Sequence, residues 1–436
     1  MDALVLAGWS LPLLLLFIFL RVPIGLSMLV FGLIGSWAVF GNVGPVLNQM
    51  KSLVYSQFSN HSLSVIPLFL LMGQFASIGG ISKDLFKAAE AFVGHRKGGV
   101  GMAAIGASAG FGSICGSSIA TVATMGQVAL PELKRAGYSG ALATGTLAAG
   151  GTLGILIPPS VLLVIYAIMT EQNIAKLFAA ALVPGILAAL CYMLVIAIYV
   201  RMSPASGGQS VRIPWMQRFK LLVVVWPVIG IFVLVIGGIY TGLFTPTEAA
   251  AVGAVGTGIV AWFKGGLTVK RVVSAFERTA TASAMVFMIV LGAAAFNSFM
   301  ALSQLPQELA VWVSELGVTP FAVLWGILLF YLVFGCAMDS MSMILLTIPI
   351  FFPMVAGLDF GLSPEEFAIW FGVLVLVVVE IGMITPPVGM NLFVIKSMAP
   401  SVTIKEVYSG VWPFVLIDII RIVLMVLFPS IVLFIL

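Results

Sequence analysis

Charge is what this sequence has least of. Only 8% of its 436 residues are Asp, Glu, Lys or Arg, where a soluble domain carries roughly a quarter. Hydrophobic residues make up 61% and mean hydropathy is +1.20, more apolar surface than a soluble fold can hide. Cysteine is scarce: Cys115, Cys191 and Cys336 fall in apolar segments with no CxxC and no paired spacing, which argues against a disulfide framework or a zinc site. The two histidines, His61 and His95, stand near segment ends without partner ligands and read as surface residues. No HExxH or catalytic dyad is present, so an intramembrane enzyme would lack its machinery. The short alternating strands of a β-barrel are missing as well. The first residues, MDALVLAGWSLPLLLLFIFLR, have neither a basic start nor a small-residue cleavage site and read as a retained first span.

What is present is a series of apolar runs near 20 residues along the whole chain. That is the pattern of an all-α polytopic membrane protein. The pattern also repeats. The diprolines Pro158-Pro159 and Pro386-Pro387 are 228 residues apart. Pro23-Ile24 and Pro246-Thr247, Trp37 and Trp262, Phe111-Gly112 and Phe334-Gly335, Pro131 and Pro353, and Pro184 and Pro413 follow in the same order at nearly that spacing. Such order suggests duplication. The first repeat covers 1–205 and the second 221–436, joined by a polar linker at 206–220.

Each half reads alike. Two spans come first, about 3–20 and 23–41 within the scaffold region 1–63 of the first half and 221–241 and 246–263 in the second, followed by 64–80 and 279–301. An amphipathic arm comes next, at 81–97 and in SQLPQELAVWVSELG, with apolar residues at helical spacing, so it lies along the interface. Two short apolar arms follow at 99–130 and 320–353, too short to cross singly, and fit re-entrant hairpins. A proline-broken helix, 139–170 and 363–398, and a last span complete each half.

Seventeen of the twenty lysines and arginines fall on one side of this topology. Only Lys51 and Lys176 fall opposite, and Arg421 lies within the last span. By the positive-inside rule the crowded side is cytoplasmic and both termini face outward. Treating the first hairpin as one crossing would move Lys134 and Arg135 outside and lose the asymmetry. The first arm carries Lys83, Lys87, Arg96 and Lys97, whereas the second has no basic residue. The halves are therefore expected to form an inverted repeat, a transporter design.

Proline lacks the amide hydrogen a helix needs, and irregular backbone survives at membrane depth only where protein or water surrounds it. Two such breaks at matching positions, each after a hairpin, expose carbonyls that can meet a cation and helix N-termini that can meet an anion. Tips reading GSICGSSIAT and CAMDSMSM add hydroxyl and carbonyl oxygens, ligands for a hard cation.

GSSIATVATMG followed by GILIPPS, then TPPVGMNLF, resembles the large membrane subunit of the tripartite ATP-independent periplasmic (TRAP) transporters over essentially the whole chain. The resemblance implies an elevator mechanism, coupling to Na+, a separate small membrane subunit, a periplasmic substrate-binding protein and residence in the bacterial inner membrane. The family's first tip usually reads SGSS, and Cys115 replaces its first serine.

On that reading one sodium site is expected at Cys115 (through its carbonyl), Ser117, Ser118, Gly154, Ile157 and Pro159. The other is expected at Asp339, Ser340, Gly382, Thr385 and Val388. Ser117 and Ser118 could instead cap the second hairpin helix. Asp339 could neutralise a cation or cap the helix it precedes. An organic acid carboxylate, such as a C4-dicarboxylate or a sialic acid, would meet Ser117, Thr152 and Asn391. Glu380 is a candidate for coupling or structural pairing, and Asp418 and Arg421, at i and i+3, can pair on one face. The expected function is sodium-coupled symport of an organic acid. The alternatives are a stand-alone carrier that needs no binding protein and, in another class, an intramembrane enzyme.

Overall fold

A computed structural model describes residues 3–209, 212–315 and 317–436, and all regular structure among them is helical. The first half runs α1 (Ala3–Phe19), α2 (Ile24–Phe40), α3 (Val43–Phe58), α4 (Val65–Ile78), α5 (Ile81–Val93), α6 (Gly99–Cys115), α7 (Ser118–Arg135), α8 (Gly140–Leu156), α9 (Val161–Thr170) and α10 (Ile174–Met202). The second runs α11 (Trp215–Tyr240), α12 (Pro246–Phe263), α13 (Val269–Ser303), α14 (Leu305–Glu315), α15 (Pro320–Gly335), α16 (Ser340–Ala356), α17 (Pro364–Gly382), α18 (Met390–Met398), α19 (Ile404–Leu427) and the short α20 (Ser430–Leu433). Among the described residues five helical runs, His61–Ile78, α10, α11, α13 and α19, are long and apolar enough to cross a membrane. The α8–α9 pair makes a sixth if its 42° bend is counted as one broken span.

Local chemistry sets the ends. Three helices begin with reciprocal capping boxes, Thr245 with Glu248 on α12, Ser363 with Glu366 on α17 and Thr403 with Glu406 on α19. Each glutamate accepts hydrogen bonds from the amide and the hydroxyl of its capping residue. Several bounds differ from those the sequence suggests. α3 stands where the span pattern announces nothing, started by the Asn42 side chain on the Gly44 amide. The hairpin arms α6 and α7 have 17 and 18 residues, longer than their apolar cores, because Ser113 bonds back to Gly110 within the helix and α7 runs on through Pro131. α13 begins near residue 269 rather than 279, capped by Thr268. Residues 215–220, read as linker, form the first turns of α11.

The helices group by contact. α2 lies along α13, and α12 along α4, with α1, α3 and α11 beside them. The α2–α13 seam is made by small residues: a methyl group on Gly25 would come within 2.8 Å of the Met288 carbonyl oxygen, so the backbones touch directly, as in other membrane helix pairs. The second group gathers around α8, which contacts α6, α7, α10, α18 and α19, while α17 contacts α15, α16 and α10. The arms α5 and α14 lie between the groups, α5 against α6 and α11, α14 against α16 and α13.

Candidate functional site

The two hairpin tips rest against the two helix breaks. At the first, only Gly116 and Ser117 separate α6 from α7. Gly116 has φ +65°, a left-handed conformation that ends α6 at little steric cost for glycine. Ser117 is the N-cap of α7: its Oγ accepts from the Ala120 amide at 3.4 Å, and its carbonyl accepts from Thr121 Oγ1 at 2.7 Å. The break runs from Ile157 to Ser160, with a cis Pro158-Pro159 bond, and Ser160 caps α9. Gly112 and Gly154 bring α6 and α8 together backbone to backbone, and a methyl on Gly154 would strike Thr121 Oγ1 and approach the Ser117 carbonyl within 2.9 Å. On the tip's other flank, a methyl on Gly73 of α4 would lie 3.1 Å from the Cys115 carbonyl oxygen.

The prolines decide which oxygens are open. In an intact helix the carbonyls of Gly154 and Ile155 would accept from residues 158 and 159, but both are proline and have no amide hydrogen. Among the described residues neither carbonyl accepts a hydrogen bond from elsewhere. The second break handles the same problem differently. Gly382 and Met383 lose their donors to Pro386 and Pro387, yet the Gly382 carbonyl accepts from the Thr385 amide at 3.0 Å and that of Met383 from the Asn391 amide at 3.1 Å. The break is tied to its tip by Gly389 N–H donating to the Cys336 carbonyl at 2.9 Å, and Gly382 packs on Gly335. Tyr408 of α19 donates to the Pro387 carbonyl.

The structure thus gathers Cys115, Ser117 and Ser118 with Gly154 and Pro159, and Asp339 and Ser340 with Gly382 and Thr385. Ile157 ends α8, its amide bonded to the Leu153 carbonyl. Asp339 caps α16, accepting from the Ser342 amide at 3.0 Å and from the Ser342 hydroxyl. Thr385 Oγ1 donates to the Ile381 carbonyl at 2.7 Å, and Val388 is 37% exposed. Thr152 faces away from the tip: its Oγ1 donates to the Ala149 carbonyl and lies 3.1 Å from Tyr192 Oη. Tyr192 in turn donates to Asp418 at 2.6 Å, and Asp418 pairs with Arg421 at 3.2 Å. Asn391, at the start of α18, is fully buried, and among the described residues neither its side-chain oxygen nor its nitrogen has a hydrogen-bond partner. Ile155 and Tyr192 were not among the expected residues. Ile155 was legible as the position four before Pro159, whereas nothing local marks Tyr192.

Comparison with known proteins follows the same lines. The family described as "Tripartite ATP-independent periplasmic transporter, DctM component" matches residues 11–431. The chain is 36% identical over 390 residues to the C4-dicarboxylate TRAP transporter large permease protein DctM of Pseudomonas aeruginosa, covering 88% of this chain and 89% of that one. It is 30% identical over 418 residues to the sialic acid TRAP transporter large permease protein SiaM of Vibrio cholerae, covering 95% and 94%. It is also 30% identical over 425 residues to the ectoine TRAP transporter large permease protein TeaC of Halomonas elongata, covering 95% of each. Among solved structures, the Alcanivorax borkumensis YdaH transporter aligns at TM-score 0.62 over 89% of both chains at 17% identity, a likeness of fold.

Proposed function

From the premise that the chain belongs to the DctM component family of the tripartite ATP-independent periplasmic transporters, we propose that it is the sodium-coupled, substrate-carrying permease of such a system in a bacterial inner membrane. The observation that carries this reading is the pair of open carbonyls at Gly154 and Ile155 beside the hairpin tip. Buried peptide oxygens left without donors are costly, about 1–3 kcal/mol each, and a hard cation such as Na+ satisfies several at once. Ser117 and the Cys115 carbonyl stand at the same place, and Asp339, Ser340, Gly382 and Thr385 form the counterpart in the second half. Relatives are named for C4-dicarboxylate, sialic acid and ectoine, and the substrate proposed here is an organic acid whose carboxylate meets Asn391 and the first tip. A small membrane subunit and a periplasmic binding protein complete the system. The group around α8 and α17 moves past the group around α2 and α13 in an elevator cycle, with both termini on the periplasmic face.

Reconstitution tests this. With the small subunit and a loaded binding protein, uptake into proteoliposomes should need an inward Na+ gradient and stop when choline replaces Na+. Uptake driven equally by a proton gradient in choline would overturn sodium coupling. Uptake undiminished without the binding protein would favour a self-sufficient carrier.

A further inference from the structure

A cavity of about 320 Å³ lies between the C-terminal end of α4 and the N-terminal turns of α13. Gln74 and Ser77 line it from α4, and Arg271, Ser274 and Arg278 line it from α13. No hairpin residue forms part of its wall, nor does any residue assigned above to ions or substrate. The two helices are fixed against each other beside it. Phe75 of α4 meets Phe276 of α13 edge to face, with ring centres 6.2 Å apart. The loop before α13 packs on the end of α4, since a methyl on Gly266 would lie 2.7 Å from the Ile78 carbonyl oxygen. Arg271 Nη1 donates to the Gly266 carbonyl at 3.0 Å, which ties that guanidinium to the loop.

All five polar side chains can donate hydrogen bonds, and no carboxylate lines the cavity. Among the described residues neither arginine forms an ion pair. Two other cavities that contain lysine carry their own counter-charge: Lys83 and Lys87 share one with Glu132, and Lys134 shares one with Glu406. Topology alone accounts for basic residues at helix ends, but not for a cavity that joins two of them to three further donors. Guanidinium groups meet phosphate oxygens in pairs, so this donor set suits a phosphate. A ligand amine would be repelled. Depth points to the source of the phosphate. Arg278 is the last charged residue of α13, and the helix is uncharged from there to Ser303, so Arg278 stands where α13 enters the hydrocarbon, at the level of lipid headgroups. Val273 and Phe276 are exposed on the same helix and offer apolar surface to acyl chains, for which a free anion has no use.

We propose that the α4–α13 cavity binds the phosphate of an anionic membrane lipid without an amine in its headgroup, of the phosphatidylglycerol type. Arg271 and Arg278 take phosphate oxygens, Gln74, Ser77 and Ser274 meet the remaining phosphate and headgroup oxygens, and the acyl chains run along Val273 and Phe276. Basic pockets between membrane helices on the cytoplasmic side hold anionic headgroups, and in the orientation proposed above this lipid belongs to the inner leaflet. Seated there it bridges α4 and α13.

Native mass spectrometry of the full chain in detergent, titrated with dioleoylphosphatidylglycerol or dioleoylphosphatidylcholine, tests this. The wild type should retain one phosphatidylglycerol under activation that strips phosphatidylcholine. Arg271→Gln/Arg278→Gln should weaken that binding about tenfold or more with the lipid-free thermal midpoint unchanged, since both side chains are exposed. Ser77→Leu/Ser274→Leu fills the cavity and keeps both charges, and should weaken it as well. Arg201→Gln/Lys405→Gln removes the same charge outside the cavity and should leave it intact. Equal loss in the Arg201/Lys405 variant, or full binding in the cavity-filled one, would reduce the effect to diffuse surface charge and overturn the proposal. Displacement of the lipid by millimolar inorganic phosphate would overturn the assignment to a lipid. The measurement needs neither sodium nor uptake, so its outcome stands apart from that of the proposed function.

Discussion

Asn391 holds two buried polar atoms with no partner among the described residues. A side chain kept in that condition costs the fold stability, about 1–3 kcal/mol per unmade bond, unless a ligand completes it. Asn391→Leu is therefore expected to leave the thermal midpoint of the purified protein unchanged or raised while lowering uptake at least tenfold at subsaturating substrate. A lower midpoint with unaltered uptake would show the amide to be structural. The opposite behaviour belongs to Asp418. It accepts from Tyr192 and pairs with Arg421, all three buried, so Asp418→Ala leaves a guanidinium without its counter-charge. Breaking such a pair costs about 3–5 kcal/mol, and a drop of several degrees in the thermal midpoint is expected, rescued in part by also replacing Arg421 with Met. The pair itself was legible as an i, i+3 spacing. Tyr192 was not, because its partner is 226 residues away and no local pattern links them.

At the scale of the element, the breaks behave as their prolines dictate. Pro158 and Pro159 remove the donors of Gly154 and Ile155, and restoring both amides with Pro158→Ala/Pro159→Ala should let α8 continue into α9. Proline within a helix costs about 3 kcal/mol, so this variant is expected to be at least as stable without sodium, yet to lose one bound Na+ per chain in equilibrium binding with radioactive sodium. Retention of the full count would place the ion elsewhere. Gly154→Ala attacks the same place sterically, since its methyl meets Thr121 and Ser117, and should abolish uptake in a protein that still elutes as a single species. The diprolines, the hairpins and the arms were all visible as composition and spacing, because lipid forces backbone hydrogen bonding into helices and makes every interruption conspicuous. The missed elements are those that lipid does not dictate. α3 is a moderately polar helix with Lys51 on it, outside the logic of spans. The N-terminal turns of α13 carry Lys270, Arg271 and Arg278, which hydropathy reads as loop although Thr268 caps them into helix. The two halves also differ in how they meet the orphaned carbonyls: open at Gly154 and Ile155, closed by Thr385 and Asn391 amides at the second break. That asymmetry arises from backbone turns that a residue pattern does not encode.

In the whole molecule, the helices around α8 and α17 meet those around α2 and α13 chiefly through the arms and through α4, which touches α6 and α9. The contact of Gly73 on α4 with Cys115 at the first tip therefore joins the two groups at the candidate ion site. If substrate crosses because one group slides past the other, that contact must separate in every cycle. A Gly73→Cys variant, with C191A and C336A removing the other thiols, places a new Cβ 3.5 Å from Cys115 Sγ, close enough for a disulfide. Uptake by the reconstituted system, measured before oxidation, after it and after reduction, is the most direct test of carriage by displacement. Oxidation is expected to halt sodium-driven uptake and reduction to restore it. Full uptake by protein that is demonstrably cross-linked would contradict it.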